Sequence, residues 1–211
     1  MAIRNFWTFK DCKVAKGCIE FKWEQGQSTA QKTRSCNNLH AAIKAYTGMV
    51  SLDISTASPS PIGVSLSAFN LKPDGRSVET LYQGSKVYSD GYIAHDLYDA
   101  DSRTAKKLSQ ENHGRISGFN YFGTEYPTEP DSIFYDYIYL KALLANYGNS
   151  MVTTATCFTD IQQNMEALAC QARSFCIYQL MRFSSCLHLL DDFDKFKEWH
   201  ESHVEIDYII R

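Results

Sequence analysis

Glu79, Tyr82, Gln83 and Lys86 stand at positions i, i+3, i+4 and i+7 of the short stretch "ETLYQGSK". With 3.6 residues per turn, a helix there would carry all four on one face. That face is ordinarily apolar, because it packs on the core. Here it holds an acid, a phenol, an amide and an amine. An acid can shuttle a proton, and a partly neutral amine can attack a carbon. A buried face of this kind must meet something polar, since unpaired buried charge is heavily penalised. The ordinary alternative is a solvent-facing stripe with a weak Glu–Lys attraction, because structural ion pairs are common too. Gly84 beside the stripe leaves room for another group to approach closely.

Several elements must position that stripe. Ser77 can cap the Glu79 helix. The clearest helix is "DSIFYDYIYLKALLANYG", where Ile133, Tyr137, Leu140 and Leu144 recur at helical spacing between a cap at Asp131 and a stop at Gly148. A second long helix, about 164 to 183, is apolar nearly all round and belongs at the centre of the core. "NNLHAAIKAYTG" gives a short helix capped by Asn37 or Asn38, and "DADSRTAKKLSQENHG" an exposed one capped by Asp101 or Ser102 and ended by Gly114. "DDFDKFKEWHESH" is an amphipathic helix near the C-terminus. Strand patterns fall at "CIEFKWEQG", "VSLDIST", "ISGFNYFG" and "VSLSAFNLKPDGRSV", with "ASPSPIG" a loop. The expectation is an α+β, helix-rich single domain with a few short strands. Within it, residues 1–50 form a strand–helix extension on a core at 51–190, and 191–211 end the chain in a helix.

Bulk properties narrow the function classes. Hydrophobic residues make up 44 % and charged residues 21 % of the 211, an ordinary globular balance. A formal net charge of −3 shows no broad basic footprint for nonspecific nucleic-acid binding, although a local groove could still take phosphates. The seven cysteines are odd in number and lack CxxC spacing, no segment reaches membrane-span length, and the N-terminus has no signal-peptide core. A reduced, cytoplasmic protein with free thiols is expected. His200 and His203 in "HESH" lack a third ligand and fit a surface helix, and Gly114, Gly118 and Gly123 make no dinucleotide fingerprint. No metal and no bound cofactor are expected.

"GRSVETLYQGSK", with "LSAFNL" just upstream, resembles the signature of the NADAR family. "LHAAI", "PDGRSVETLYQGSKVY", "DLYDADSRTAKK", "YPTEPDSIFYDYIYLKAL", "FTDIQQN" and "CQARS" narrow the resemblance to NADAR antitoxins that accompany DarT-type toxins, over roughly residues 19 to 185. "FTDIQQNMEALACQAR" stands where the better-known NADAR branch has Lys-Phe and Trp-Gly motifs. The resemblance implies a glycohydrolase that removes ADP-ribose from guanine bases in DNA, reversing the mark its toxin makes from NAD. ADP-ribosylated DNA is then the substrate, ADP-ribose the product and a DarT-type toxin the partner. Two alternatives stay open: a hydrolase of free or RNA-linked ADP-ribosyl-guanine or a related N-glycoside, and a non-catalytic module that binds ADP-ribose or the toxin.

On that implied chemistry, Glu79 steadies the sugar cation or shuttles a proton. Lys86 either attacks the opened sugar as a Schiff-base nucleophile or stays charged and orients Glu79. Asp160, otherwise a helix cap, becomes a second acid near the ribose. Gln83 and Tyr82 bind between the charged groups, and Asn70 recognises ribose or phosphate. Phe69 is either core or a stacking platform. Arg103, with Lys106 and Lys107, is either a solvated face or a diphosphate clamp, Arg103 being the better clamp for its forked donors. Arg173 in an apolar helix needs a partner, a carboxylate inside the fold or a ligand phosphate. Tyr135 and Tyr139 share a face that suits core packing.

Overall fold

The computed structural model describes residues 1–26, 28–109, 114–163 and 169–204, together with the backbone of 207–208. The first five residues of the expected helix 164–183, and the segment 110–113 before Gly114, lie outside the described residues.

The chain opens with a hairpin. Ala2–Lys10 (β1) and Lys13–Phe21 (β2) pair antiparallel from Ala2 opposite Phe21 to Lys10 opposite Lys13. The turn uses Asp11 and Cys12, both at positive φ, the backbone that suits the twist of a two-residue hairpin. The sequence pattern showed only the second strand, and that from residue 18. In β1 the consecutive residues Phe6, Trp7 and Thr8 are all buried, so both faces are covered and the alternation vanishes.

Thr29–Thr47 (α1) begins earlier than expected. Asn37 and Asn38 sit inside it, and the cap is Ser28. Its side chain accepts from the Gln31 N–H while the Gln31 side chain accepts from the Ser28 N–H. Only Ser35, Cys36, Leu39 and Ile43 of this helix are buried, so its polar first two turns hid it. Gly48 ends it at φ 74°. Ser51–Asp53 (β3) follows, then Pro61–Ser65 (α2), a short helix that begins in the segment read as loop and ends in the one read as strand-like, with proline in its first turn. The stretch read as strand-like after it is a turn: the amides of Asn70 and Leu71 both donate to Ser67 O.

Val78–Gly84 (α3) is capped by Ser77, whose Oγ accepts from the Thr80 N–H at 3.0 Å. It stops at Gly84, and Lys86–Tyr88 (β4) begins at once. Lys86 therefore projects from a strand, not from the helix of Glu79. A Cβ on Gly84 would fall 2.5 Å from the Tyr98 ring, so the close neighbour that this glycine admits is an internal tyrosine. A 3-10 turn at His95–Asp99 leads to Ser102–Leu108 (α4), capped by Asp101. Ile116–Tyr121 (β5) and Thr124–Tyr126 (β6) form a hairpin with β4.

Ile133–Tyr147 (α5) is the buried axis. Its N-cap is Ser132, in the left-handed region and without a side-chain capping bond, rather than Asp131. Cys157–Thr159 (β7), Gln171–Phe183 (α6), a second 3-10 turn at Leu187–Asp191, Phe193–His203 (α7) and Asp207–Tyr208 (β8) complete the chain. The larger sheet runs β3-β7-β1-β2-β8, and the smaller β4-β5-β6. On one face of the larger sheet Phe6, Phe21 and Cys157 pack on Leu39 and Ile43 of α1, and on the other Trp7, Val14 and Phe158 join Phe175 and Ile177 of α6. The protein is a single α+β domain with seven α-helices among the described residues.

Arg173 finds its partner inside the fold, pairing with the fully buried carboxylate of Asp136. His200 is not on a surface: it is 3 % exposed, with Nε2 3.0 Å from Asp136 Oδ2. Tyr135 and Tyr139 are core residues, and the Tyr139 hydroxyl donates to Leu66 O at 2.7 Å.

Candidate active site

Glu79 lies in the first turn of α3 and is 6 % exposed. Its Oε1 accepts from Gln83 Nε2 at 3.0 Å, one helical turn on, and lies 3.6 Å from Lys106 Nζ. Gln83 is also buried, and its Oε1 has no hydrogen-bond partner among the described residues. A buried amide oxygen of that kind requires a donor from somewhere. Lys86 reaches the same region from β4, with Nζ 5.3 Å from the centre of the Tyr82 ring. Burial lowers its pKa to about 8; Glu79 acts in the opposite sense, and Lys106 reinforces the lowering. Tyr82 leans on Tyr135 and Phe119, at centroid distances of 5.0 and 5.5 Å, and burial pushes its phenol pKa well up, so it stays neutral. The expected stripe is thus assembled by a helix and the strand that follows it.

Lys106 connects this cluster to an open cleft of about 890 Å³. Phe69 and Asn70 line one side; the Phe69 ring lies 5.3 Å from Lys106 Nζ, and Asn70 Nδ2 donates to Val64 O at 2.9 Å. Arg103, Lys106 and Lys107 come from α4, Thr29 and Lys32 from the first turn of α1, and Thr56 and Gln162 from the loops after β3 and β7. Among the described residues its lining carries Lys32, Arg103, Lys106 and Lys107 against the single carboxylate of Asp101, in a chain whose formal charge is −3. The basic character missing from the composition is concentrated here.

Asp160 sits just behind Gln162. Its Oδ1 accepts from the Gln162 N–H at 2.9 Å and its Oδ2 from Gln171 Nε2 at 2.7 Å. Burial, and then the neighbouring carboxylate of Asp53, push its pKa up, while the charge of Lys106 pulls it down. Lys106 therefore acts on both Asp160 and Glu79, and Tyr135 feels both carboxylates as well. The fold gathers Glu79, Tyr82, Gln83 and Lys86 into one cluster, sets Phe69, Asn70 and Arg103 on the cleft wall, and brings Asp160 within electrostatic reach of Lys106.

The family model for DarT1-associated NADAR antitoxins matches residues 4–207. The chain belongs to that family. No curated protein matches the chain. Membership makes it an antitoxin, with a DarT toxin as the partner that its family implies. Among the described residues of this antitoxin no helix is long and apolar enough to cross a membrane.

Two residues of this region were not singled out for their contacts by the sequence reading. Lys106 was seen only as part of a basic helix face with Arg103; its spacing of three from Arg103 was the available signal, but its contact with Glu79 joins residues 27 positions apart. Gln171 was overlooked inside "CQARS", where Arg173 drew attention. Away from the cleft lining, Cys36, His40 and Asp53 bring ligand-type atoms within 4.8 Å of one another. Those atoms already bond within the fold: His40 Nε2 lies 2.9 Å from Thr159 Oγ1, and Asp53 accepts from Ser55, Thr159 and the Ile161 N–H. The cluster ties α1 to β3 and β7.

Proposed function

We propose that this antitoxin hydrolyses the N-glycosidic bond between ADP-ribose and the guanine amino group in DNA, and so reverses the modification made by its toxin. The observation that carries the reading is the buried Glu79–Gln83 pair with Lys86 and Lys106 around it, beside a basic cleft. Cleavage builds positive charge on the ribose and negative charge on the departing guanine nitrogen. Glu79 is positioned to steady that cation and to take the proton from the attacking water. Asp160, kept protonated further up the pH scale by burial and by Asp53, supplies the proton to the guanine nitrogen. The anomeric carbon–nitrogen bond breaks, water gives its hydroxyl to the carbon, and the products are ADP-ribose and unmodified guanine.

The remaining groups bind. The unpartnered Gln83 Oε1 accepts from a ribose hydroxyl. Arg103 clamps the diphosphate, with Lys107 and Lys32 adding field across the cleft. Phe69 and Tyr82 supply aromatic surface, and Asn70 an amide at the rim. An exocyclic amine inside a duplex cannot reach such a cleft, so the target base is taken from single-stranded or extruded DNA.

The test is an oligonucleotide carrying ADP-ribosylated guanine, with release of free ADP-ribose followed over time. The wild type should release it; Glu79→Gln should bind the oligonucleotide yet release ADP-ribose far more slowly. Binding without release by the wild type would replace this reading with a non-catalytic module that binds ADP-ribose or the toxin.

A further inference from the structure

We propose that Gln171 is a positioning residue, which fixes Asp160 relative to the backbone of Glu79 through one carboxamide and the two peptide groups that flank the Ala68 Cα. The inference rests on the proposed glycohydrolase reading and extends it to a residue outside the cleft lining. Gln171 is the first residue of α6 and is buried. Its Nε2 donates to Asp160 Oδ2 at 2.7 Å, and its Oε1 accepts from the Ala68 N–H at 2.7 Å. The carbonyl of the same Ala68 accepts from the Glu79 N–H at 2.9 Å. The Asp160 carboxylate is thus tied to the backbone of Glu79 by three hydrogen bonds in series, through the Gln171 side chain and Ala68. Ala68 is also the residue before Phe69 and Asn70, so the same connection sets one wall of the cleft.

Only a carboxamide fits this place. Asp160 needs a donor and the Ala68 amide needs an acceptor, and a side-chain amide presents one of each at fixed separation. A carboxylate lacks the donor; a thioether of the same length lacks the donor and is only a weak acceptor. Gln171 also lowers the proton affinity of Asp160, against burial and Asp53, which raise it. The other groups that act on or respond to Asp160 are Cys36 from α1, Arg4 from β1, Lys106 from α4, Tyr135 and Tyr139 from α5, and Cys170 at the start of α6. None of them bonds to the Ala68 peptide among the described residues, so they tune Asp160 without tying it to Glu79.

The experiment compares wild type, Q171M and Q171E as full chains. It reads kcat and KM for ADP-ribose release from the modified oligonucleotide between about pH 5 and about pH 8.5, spanning the carboxylate and histidine ranges. Thermal midpoints and calorimetric titration with free ADP-ribose accompany the kinetics. Q171M should lose about 10- to 100-fold in kcat at every pH, the scale of a catalytic group displaced by a fraction of an ångström to an ångström. Q171E should show a similar loss near pH 8. It should recover towards wild type as the pH falls, because one proton shared by the two carboxyls restores the missing donor. A merely structural glutamine would lower the thermal midpoint and leave the pH dependence of the two variants parallel to wild type. Wild-type kcat in Q171M, or an equal deficit of Q171E at all pH values, overturns the inference. If the wild type releases no ADP-ribose, the glycohydrolase reading fails separately, and the titration decides the role of Gln171. At least tenfold weaker ADP-ribose binding by Q171M, with recovery of Q171E at low pH, upholds the link to the Phe69 wall; unchanged affinity overturns it.

Discussion

Asp136 and Glu79 are both buried carboxylates beside cations, yet the fold treats them in opposite ways. Asp136 is 0 % exposed and both its oxygens are engaged: Oδ1 accepts from Ser174 Oγ at 2.6 Å, and Oδ2 meets Arg173 and His200. Its partners are fixed on α6 and α7 and are as buried as it is. Burial alone would raise its pKa, but the Arg173 charge and the bonds from His200 and Ser174 outweigh burial and hold it below the ordinary value. Glu79 engages Oε1 with Gln83 and with Lys106, whose side chain is 52 % exposed. Beside it the Gln83 Oε1 has no partner among the described residues, and burial lowers the pKa of Lys86. One cluster satisfies its carboxylate from inside the fold and locks three helices together, although Arg173 Nε and His200 Nδ1 also have no partner among the described residues. The other is left incomplete at the edge of a cleft, as a site must be if a ligand is to finish it.

Substitutions should separate the two. Glu79→Gln should cut ADP-ribose release by roughly 10²–10⁴-fold, the usual worth of a positioned acid or base, with no fall in thermal midpoint. A midpoint that falls in step with activity would make Glu79 another Asp136. Arg173→Met should do the reverse. Removing one partner of a buried pair costs about 3–5 kcal/mol, read as a lower urea midpoint, while release per folded molecule stays at wild-type level.

Lys86 offers a finer distinction. Because its pKa is lowered to about 8, the neutral amine grows about tenfold per pH unit below that value and levels off above it. If the lysine forms an imine with the opened sugar, borohydride trapping during turnover should rise along that curve and vanish in Lys86→Met. Active turnover without any trapped adduct assigns Lys86 to the charged, orienting role instead. The smallest effect concerns pH and stability. Asp160 and Asp53 have folded pKa values above their unfolded ones, so the native state holds more protons than the unfolded chain between neutral pH and the ordinary carboxylate range. Their contribution makes the protein more stable as pH falls across that window. Asp136 has a lowered value, so its contribution is present above the ordinary carboxylate pKa and lost as pH falls through its folded one. Urea midpoints should therefore pass through a maximum in mild acid; a monotonic fall from neutral pH downward would mean that Asp160 and Asp53 do not hold extra protons in the folded chain.

The sequence announced elements whose signals are local. Ser77, Gly48, Gly148 and Asp101 mark helix ends through their own backbone and side-chain chemistry, and all four do so in the structure. It misled where burial came from both sides or where polar turns had no apolar stripe, as in β1 and the start of α1. The site divides in the same way. Glu79, Tyr82 and Gln83 were grouped by helical spacing, because neighbours on a helix are neighbours in sequence. Lys86 was placed on the wrong element, since nothing local told that Gly84 ends the helix against Tyr98.

Sequence by itself determined the α+β class, the family and the acid–amide–amine stretch, because each is carried by residues close together along the chain. Tertiary structure alone decided that Lys106 meets Glu79, that Gln171 spans Asp160 and Ala68, and that Arg173 is satisfied by Asp136 rather than left for a ligand. The physical reason is range. Capping and periodicity act within a turn or two of the backbone, whereas the partner of a buried charge is chosen by whichever distant segment packing brings within about 4 Å.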